Sequence, residues 1–311
     1  MTASSALHAA DSFTRDEVAY TLFCRLLSLE IISPEELAWL LEQLVSDHHL
    51  FAGIGEVGDD TVFGRSFSVL VAGHVLDVDA AHRLLDVDLV HDTIARILRY
   101  AVAERDRRGF VPGKGWAHSA ARTADALGAC ARHPAAFEAH WQAVLVAIAS
   151  VADTDEPLIY LEDERLALAE RSVFQRAGWR PELWNPWIAR FDRPSEWTPE
   201  VTVRHANRVH LLHAARCCLV RKVGPSLWCA PSMRGSWRFV WIEGEKGERS
   251  ERHAGVPGYT RLLSSLCTRT RTTGMTRNAT ALPRRRTAIH IATLAQSLYQ
   301  RRSGAQFATE A

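Results

Sequence analysis

From residue 14 to residue 216, apolar residues recur three and four positions apart in one segment after another, and almost nowhere do they alternate singly. That is the helical period. Each helix must bury one face against other helices, so an all-α fold is predicted. "TRDEVAYTLFCRLLSLE" places Val18, Leu22, Leu26 and Leu29 on one face, with Thr14 as N-cap and Glu17 closing a capping box. "SPEELAWLLEQLV" repeats the device with Ser33, Pro34 and Glu36. Further helices are expected near 61–76, 88–104, 115–132, 135–151, 162–177, 181–191 and 199–216. Asp59 or Asp60, and Asp86 or Asp88, are their candidate caps.

Helix pairs begin near 14, 61, 115 and 162, a spacing of about 45–50 residues that matches HEAT and armadillo units. Short turns make the partners antiparallel. The expectation is an α-α superhelix, a HEAT-like stack of antiparallel helix hairpins, with a compact bundle as the competing arrangement.

Charge divides the chain in two. Residues 1–216 carry a balance of −10 and residues 217–311 one of +11, and no aspartate follows Asp192. The reading is therefore a helical-repeat domain over 14–216 and a poorly structured basic segment over 217–311. Loss of aspartate beside abundant Arg, Ser, Thr, Cys and Trp is what a shifted reading frame in a G+C-rich gene yields. A disordered or partner-binding tail is the other account. Nucleic acid is expected to bind only through this basic tail, at stretches such as "PRRRT". The opening "MTASSALHAADSF" lacks the basic start of a secretory signal, and no run of about 18 or more apolar residues suggests a membrane span. The six cysteines have irregular spacing. A reducing cytoplasm, and no membrane partner, is the expectation.

"GIGEVG", Gly53 to Gly58, matches a dinucleotide fingerprint only as letters. It follows helical sequence rather than a strand, and Asp59 and Asp60 would repel phosphate, so it reads as a turn. Arg65 lies among Val62, Phe63 and Phe67, either as a structural ion pair or as an anion clamp in a groove. "RHANRVHLLHAARCC" gathers His205, His210, His213, Cys217 and Cys218 at spacings that match no zinc module. The densest polar cluster is "ERDRRGFVPGKGWAHSAARTAD". A helix starting near Gly115 puts His118, Arg122 and Asp125 at i, i+4 and i+7 on one face. A histidine beside a carboxylate can carry a proton, and it can equally satisfy backbone groups where two helix layers cross, with Trp116 filling the core.

"LFAGIGE", "DDTVFGRSFS", "RGFVPGKGWAHSAARTAD" and "LEDERLALA" occur in this order in 50–169, and "ANRVHLLHA" follows at 206–214. In this order they resemble the bacterial domain-of-unknown-function 2785 family, over about residues 14–215. The resemblance implies a helical-repeat fold and no established activity. The family's pattern carries a second histidine where this chain has Arg122. A guanidinium has no lone pair and repels a cation, so no metal is expected here. An anionic ligand held by Arg122 and Lys114 is expected instead. One acid of "LEDERLALA" is a candidate partner for Arg65 or His118.

Two functions follow as expectations. The first is a binding or scaffold module whose polar groove is lined by Arg65, Lys114, Trp116, His118, Arg122 and Asp125, for a protein, a peptide or an anionic small molecule. The alternative is an enzyme, a hydrolase or transferase acting on an anionic small molecule, with His118 as general acid or base oriented by Asp125. No cofactor is implied by either.

Overall fold

The computed structural model describes residues 3–29, 31–178, 180–223, 227–231 and 237–241. They are mostly helical. The helices are α1 (Ala3–Ala6), α2 (Thr21–Ser28, entered through π-type turns over Phe13–Tyr20), α3 (Pro34–Leu44), α4 (Thr61–His82) and α5 (Val87–Ala103). Then come α6 (Ser119–Arg132), α7 (Glu138–Ala152), α8 (Glu162–Ala177), α9 (Pro181–Ile188, with a 3-10 turn to Phe191) and α10 (Pro199–Val223). Two short strands, β1 (Phe110–Val111) and β2 (Gly115–Trp116), form a small hairpin between α5 and α6. Another pair, β3 (Leu227–Pro231) and β4 (Trp237–Trp241), follows α10. Residues Met1–Glu243 make one compact unit. The expectation for the remainder of the basic segment lies outside the described residues.

Local chemistry sets most of the helix starts. Ser33 accepts from Glu36 N, and Glu36 answers to Ser33 N, the expected box before Pro34. Asp86 caps α5 by accepting from Asp88 N. Asp59 accepts from the Thr61 amide and hydroxyl at the head of α4, leaving Asp60 free to hold Lys114. The first helix departs from expectation. Asp11, not Thr14, is the capping acceptor, and Thr14 donates to it. The buried face there is Arg15, Ala19, Phe23 and Leu27 rather than the Val18 series, and Leu29 is exposed. Arg15 accounts for the rotation. Its guanidinium stacks on Phe63 and donates to the carbonyls of Ala9, Ala10 and Lys114, which draws that face inward.

Two rows of helices form the body. α4 packs on α6, α6 on α8 and α8 on α10, while α5 packs on α7 and α7 on α9. One core runs between the rows, from Leu37 and Leu41 through Val71, Leu76, Ile94 and Leu127 to Ile148, Leu166 and Leu211. α4 runs six residues past its expected end, because Asp77 and Asp79 are not terminating charges. Asp77 pairs with Arg132 of α6. Asp79 accepts from the amides of Leu84 and Leu85 beyond the helix end and lies 3.0 Å from His133 Nε2. By length and composition α4 is also apolar enough to cross a membrane, yet 78% of its apolar window is buried inside the protein. Its apolarity therefore serves the core.

Candidate functional site

The central motif begins differently from the expected helix at Gly115. Gly115 and Trp116 pair with Val111 and Phe110 in the β1–β2 hairpin, and α6 starts only at Ser119. His118 is the N-cap, held in the left-handed conformation at φ 48°. Its amide donates to Arg108 O and Gly109 O, and its carbonyl accepts from Arg122 N. The helical i, i+4, i+7 relation therefore never reaches the His118 side chain, which leaves the helix phase and turns toward the head of α8.

There it meets Glu162. His118 Nε2 lies 3.3 Å from Glu162 Oε1 and 3.3 Å from the Tyr160 carbonyl oxygen. Both neighbours are acceptors, so Nε2 carries a hydrogen. Glu162 is buried, and its other oxygen accepts from Tyr160 N at 2.6 Å. Burial raises the Glu162 pKa, but hydrogen bonds from His118 and from the amides of Glu162 and Tyr160 outweigh it and hold the carboxyl below its usual range. The residue before Glu162, Leu161, is also left-handed, at φ 66°. Two helix N-termini thus meet at one corner, each preceded by a non-glycine residue in a conformation that costs about 1 kcal/mol or more.

Around this corner stands an apolar surface. Phe110 is 48% exposed, Trp116 37%, Ile159 69%, Tyr160 38% and Leu161 62%. The Trp116 ring lies 4.9 Å from the His118 ring and 5.1 Å from that of Tyr160. Gly109 permits the arrangement, because a Cβ there would sit 2.2 Å from the Tyr160 ring.

The other expected site residues are spent elsewhere. Arg65 is wholly buried and donates to both Glu104 oxygens at 2.6 and 3.0 Å, and to the carbonyls of Ala52 and Gly53. It clamps the "GIGEVG" turn from inside rather than lining a groove. Lys114 Nζ is held by Asp60 at 2.7 Å. Asp125 does not orient His118, since both its oxygens face Arg165 of α8. Arg122 points into the interior, its guanidinium 3.4 Å from the Phe67 ring centre and Nη1 donating to Ser66 Oγ and Ala117 O. Burial brings the Arg122 pKa down to about 9, with Asp16 opposing the fall and Arg15 adding to it. Of the expected set, only Trp116 and His118 come together. Glu162 is the acid of "LEDERLALA" that faces His118, one of the partners expected from sequence, whereas Tyr160, Phe110 and Leu161 were not singled out. "LIYLEDERLALA" carried the signal, in an acidic helix start preceded by an apolar run that had no helical face to fill.

Residues 50–215, which hold every element of this corner, match the model of a family described as a protein of unknown function, DUF2785. The chain belongs to the DUF2785 family. The match starts after α3, so the Arg15 segment that packs on Phe63 lies outside the DUF2785 region. No curated protein and no solved structure matches the chain. Among the described residues of this DUF2785 member, no three or more His, Cys, Asp or Glu side chains group as a metal site.

Proposed function

We propose that the protein is a binding module that presents the His118 corner to a protein or peptide partner. The observation that carries the reading is the exposed cluster of Phe110, Trp116, Ile159, Tyr160 and Leu161 around two left-handed cap residues. Contiguous apolar surface on a soluble face marks interaction sites, and backbone strain persists where the surroundings hold it in place. We take the two rows of helices as turns of a HEAT-like α-α superhelix, a scaffold that keeps such a surface rigid; the successive packing of α4, α6, α8 and α10 supports this.

The test is cross-linking and capture with Ile159→Asp and Leu161→Asp. Both side chains are exposed, and aspartate tolerates the left-handed region at 161 at least as well as leucine. The expected outcome is loss of the partners captured by the wild type, with melting midpoints within about 2 °C of it. Undiminished capture by both folded variants overturns the reading.

One observation favours a second reading. The buried Glu162 holds the His118 ring through Nε2 and leaves Nδ1 outside that pair, an arrangement suited to a general acid or base serving an enzyme on an anionic small molecule. His118→Ala separates the two, because it abolishes turnover in an enzyme and leaves the apolar contact surface in place.

A further inference from the structure

Between α4, α6 and α8, away from the aromatic corner, the surface opens into a cleft of about 380 Å³. None of the corner residues lines it. Its floor is made by Gly73, Ala124, Gly128 and Ala169, with Leu70 and Leu168 beside them. Small residues create the space. A Cβ on Gly128 would stand 2.8 Å from Arg132 Nη1 and 3.6 Å from Ala169 Cα, so the Arg132 side chain lies across a bare helix surface.

The walls are charged. Arg132 donates to both oxygens of Asp77 at 2.9 Å and to Ser172 Oγ at 3.2 Å, and Arg165 pairs with Asp125. A third arginine, Arg171, lines the same cleft with no carboxylate partner among the described residues. Its Nε is shielded from solvent and donates to nothing. Burial lowers the pKa of His74 on the opposite wall, against the pull of Asp77 and Asp125, so the ring adds no cation near neutral pH. Three guanidiniums therefore line the cleft beside two carboxylates, and the excess positive charge sits on Arg171, whose Nε is unmet.

We propose that this cleft binds a small organic anion, a carboxylate or phosphate monoester with a compact apolar body, through Arg171 and the adjoining arginines. A guanidinium fork matches the two oxygens of either headgroup. The cleft volume falls at the small end of ligand sites, which suits one compact molecule. The floor of leucine, alanine and glycine gives an apolar body a dry surface. The anion sits between α6 and α8 rather than at Arg122 and Lys114, whose donors face the interior and Asp60.

Isothermal titration of the full chain with benzoate and with phenyl phosphate tests this, and the two probes separate the headgroups. Saturable one-to-one binding of at least one probe is expected, weakened about tenfold or more by Arg171→Gln and by Gln175→Glu. Arg96→Gln on α5, remote from the cleft, should leave it unchanged. Gln175 is exposed and its replacement nearly isosteric, so this variant decides alone if Arg171→Gln lowers the melting midpoint by more than about 5 °C. No saturable binding of either probe overturns the proposal. So does binding that Gln175→Glu leaves at its wild-type strength.

Discussion

Glu170 of α8 is fully buried, and neither carboxylate oxygen accepts a hydrogen bond. Burial pushes its pKa from 4.5 up to about 8. Between those values the folded carboxyl holds its proton while the unfolded one has lost it, so stability falls as pH rises through that window. Glu170→Met removes the term. Urea unfolding of both proteins at pH 5 and pH 8 should show the wild type losing roughly 3 kcal/mol more than the variant over this interval. Parallel losses would mean the carboxyl is solvated or paired. The contrast with Arg65 is instructive. Both side chains are wholly buried, but Arg65 has Glu104 and several carbonyls to answer it. An arginine among phenylalanines announces a need for partners, and the ion-pair alternative for Arg65 was already legible in "DDTVFGRSFS". Nothing local in "LEDERLALAERS" marks Glu170 as a buried acid, because the sequence does not say which side of α8 meets its neighbours.

Helices approach closely where both surfaces are small. A Cβ on Gly73 of α4 would fall 2.9 Å from the Cα of Ala126 in α6. Alanine is the better helix former by about 1 kcal/mol, yet here the obstacle is backbone, which cannot step aside as a flexible side chain can. Gly73→Ala is therefore expected to destabilise by about 1–3 kcal/mol, measured by urea unfolding, and a gain in stability would show that α4 and α6 have slack. Most helix starts were legible for a local reason: Ser33 and Asp86 satisfy amides within a few residues of themselves, and Pro34 brings no amide that needs a partner. The exceptions share a cause in distant contacts. Asp77 and Asp79 prolong α4 toward Arg132 and His133, and the hairpin of Phe110–Val111 with Gly115–Trp116 delays α6 to Ser119.

Among the described residues one core runs from Leu7 to Ala215, and the compact unit ends at Glu243. A chain ending at residue 243 is expected to melt cooperatively within about 3 °C of the full chain, followed by circular dichroism. A much lower midpoint would mean that later residues complete the core. Periodicity and capping chemistry settle the order and approximate position of α2 to α10, though not the short α1 or the far ends of α4 and α10, because position depends on neighbours three or four residues away. The meeting of charges is another matter. His118 finds Glu162, Asp125 finds Arg165 and Arg122 turns onto Phe67 only once α4, α6 and α8 are side by side. Each choice depends on partners about 40 or more residues distant, and that of His118 also on its own left-handed backbone, which takes its side chain out of the helical phase; the local pattern of the chain fixes neither.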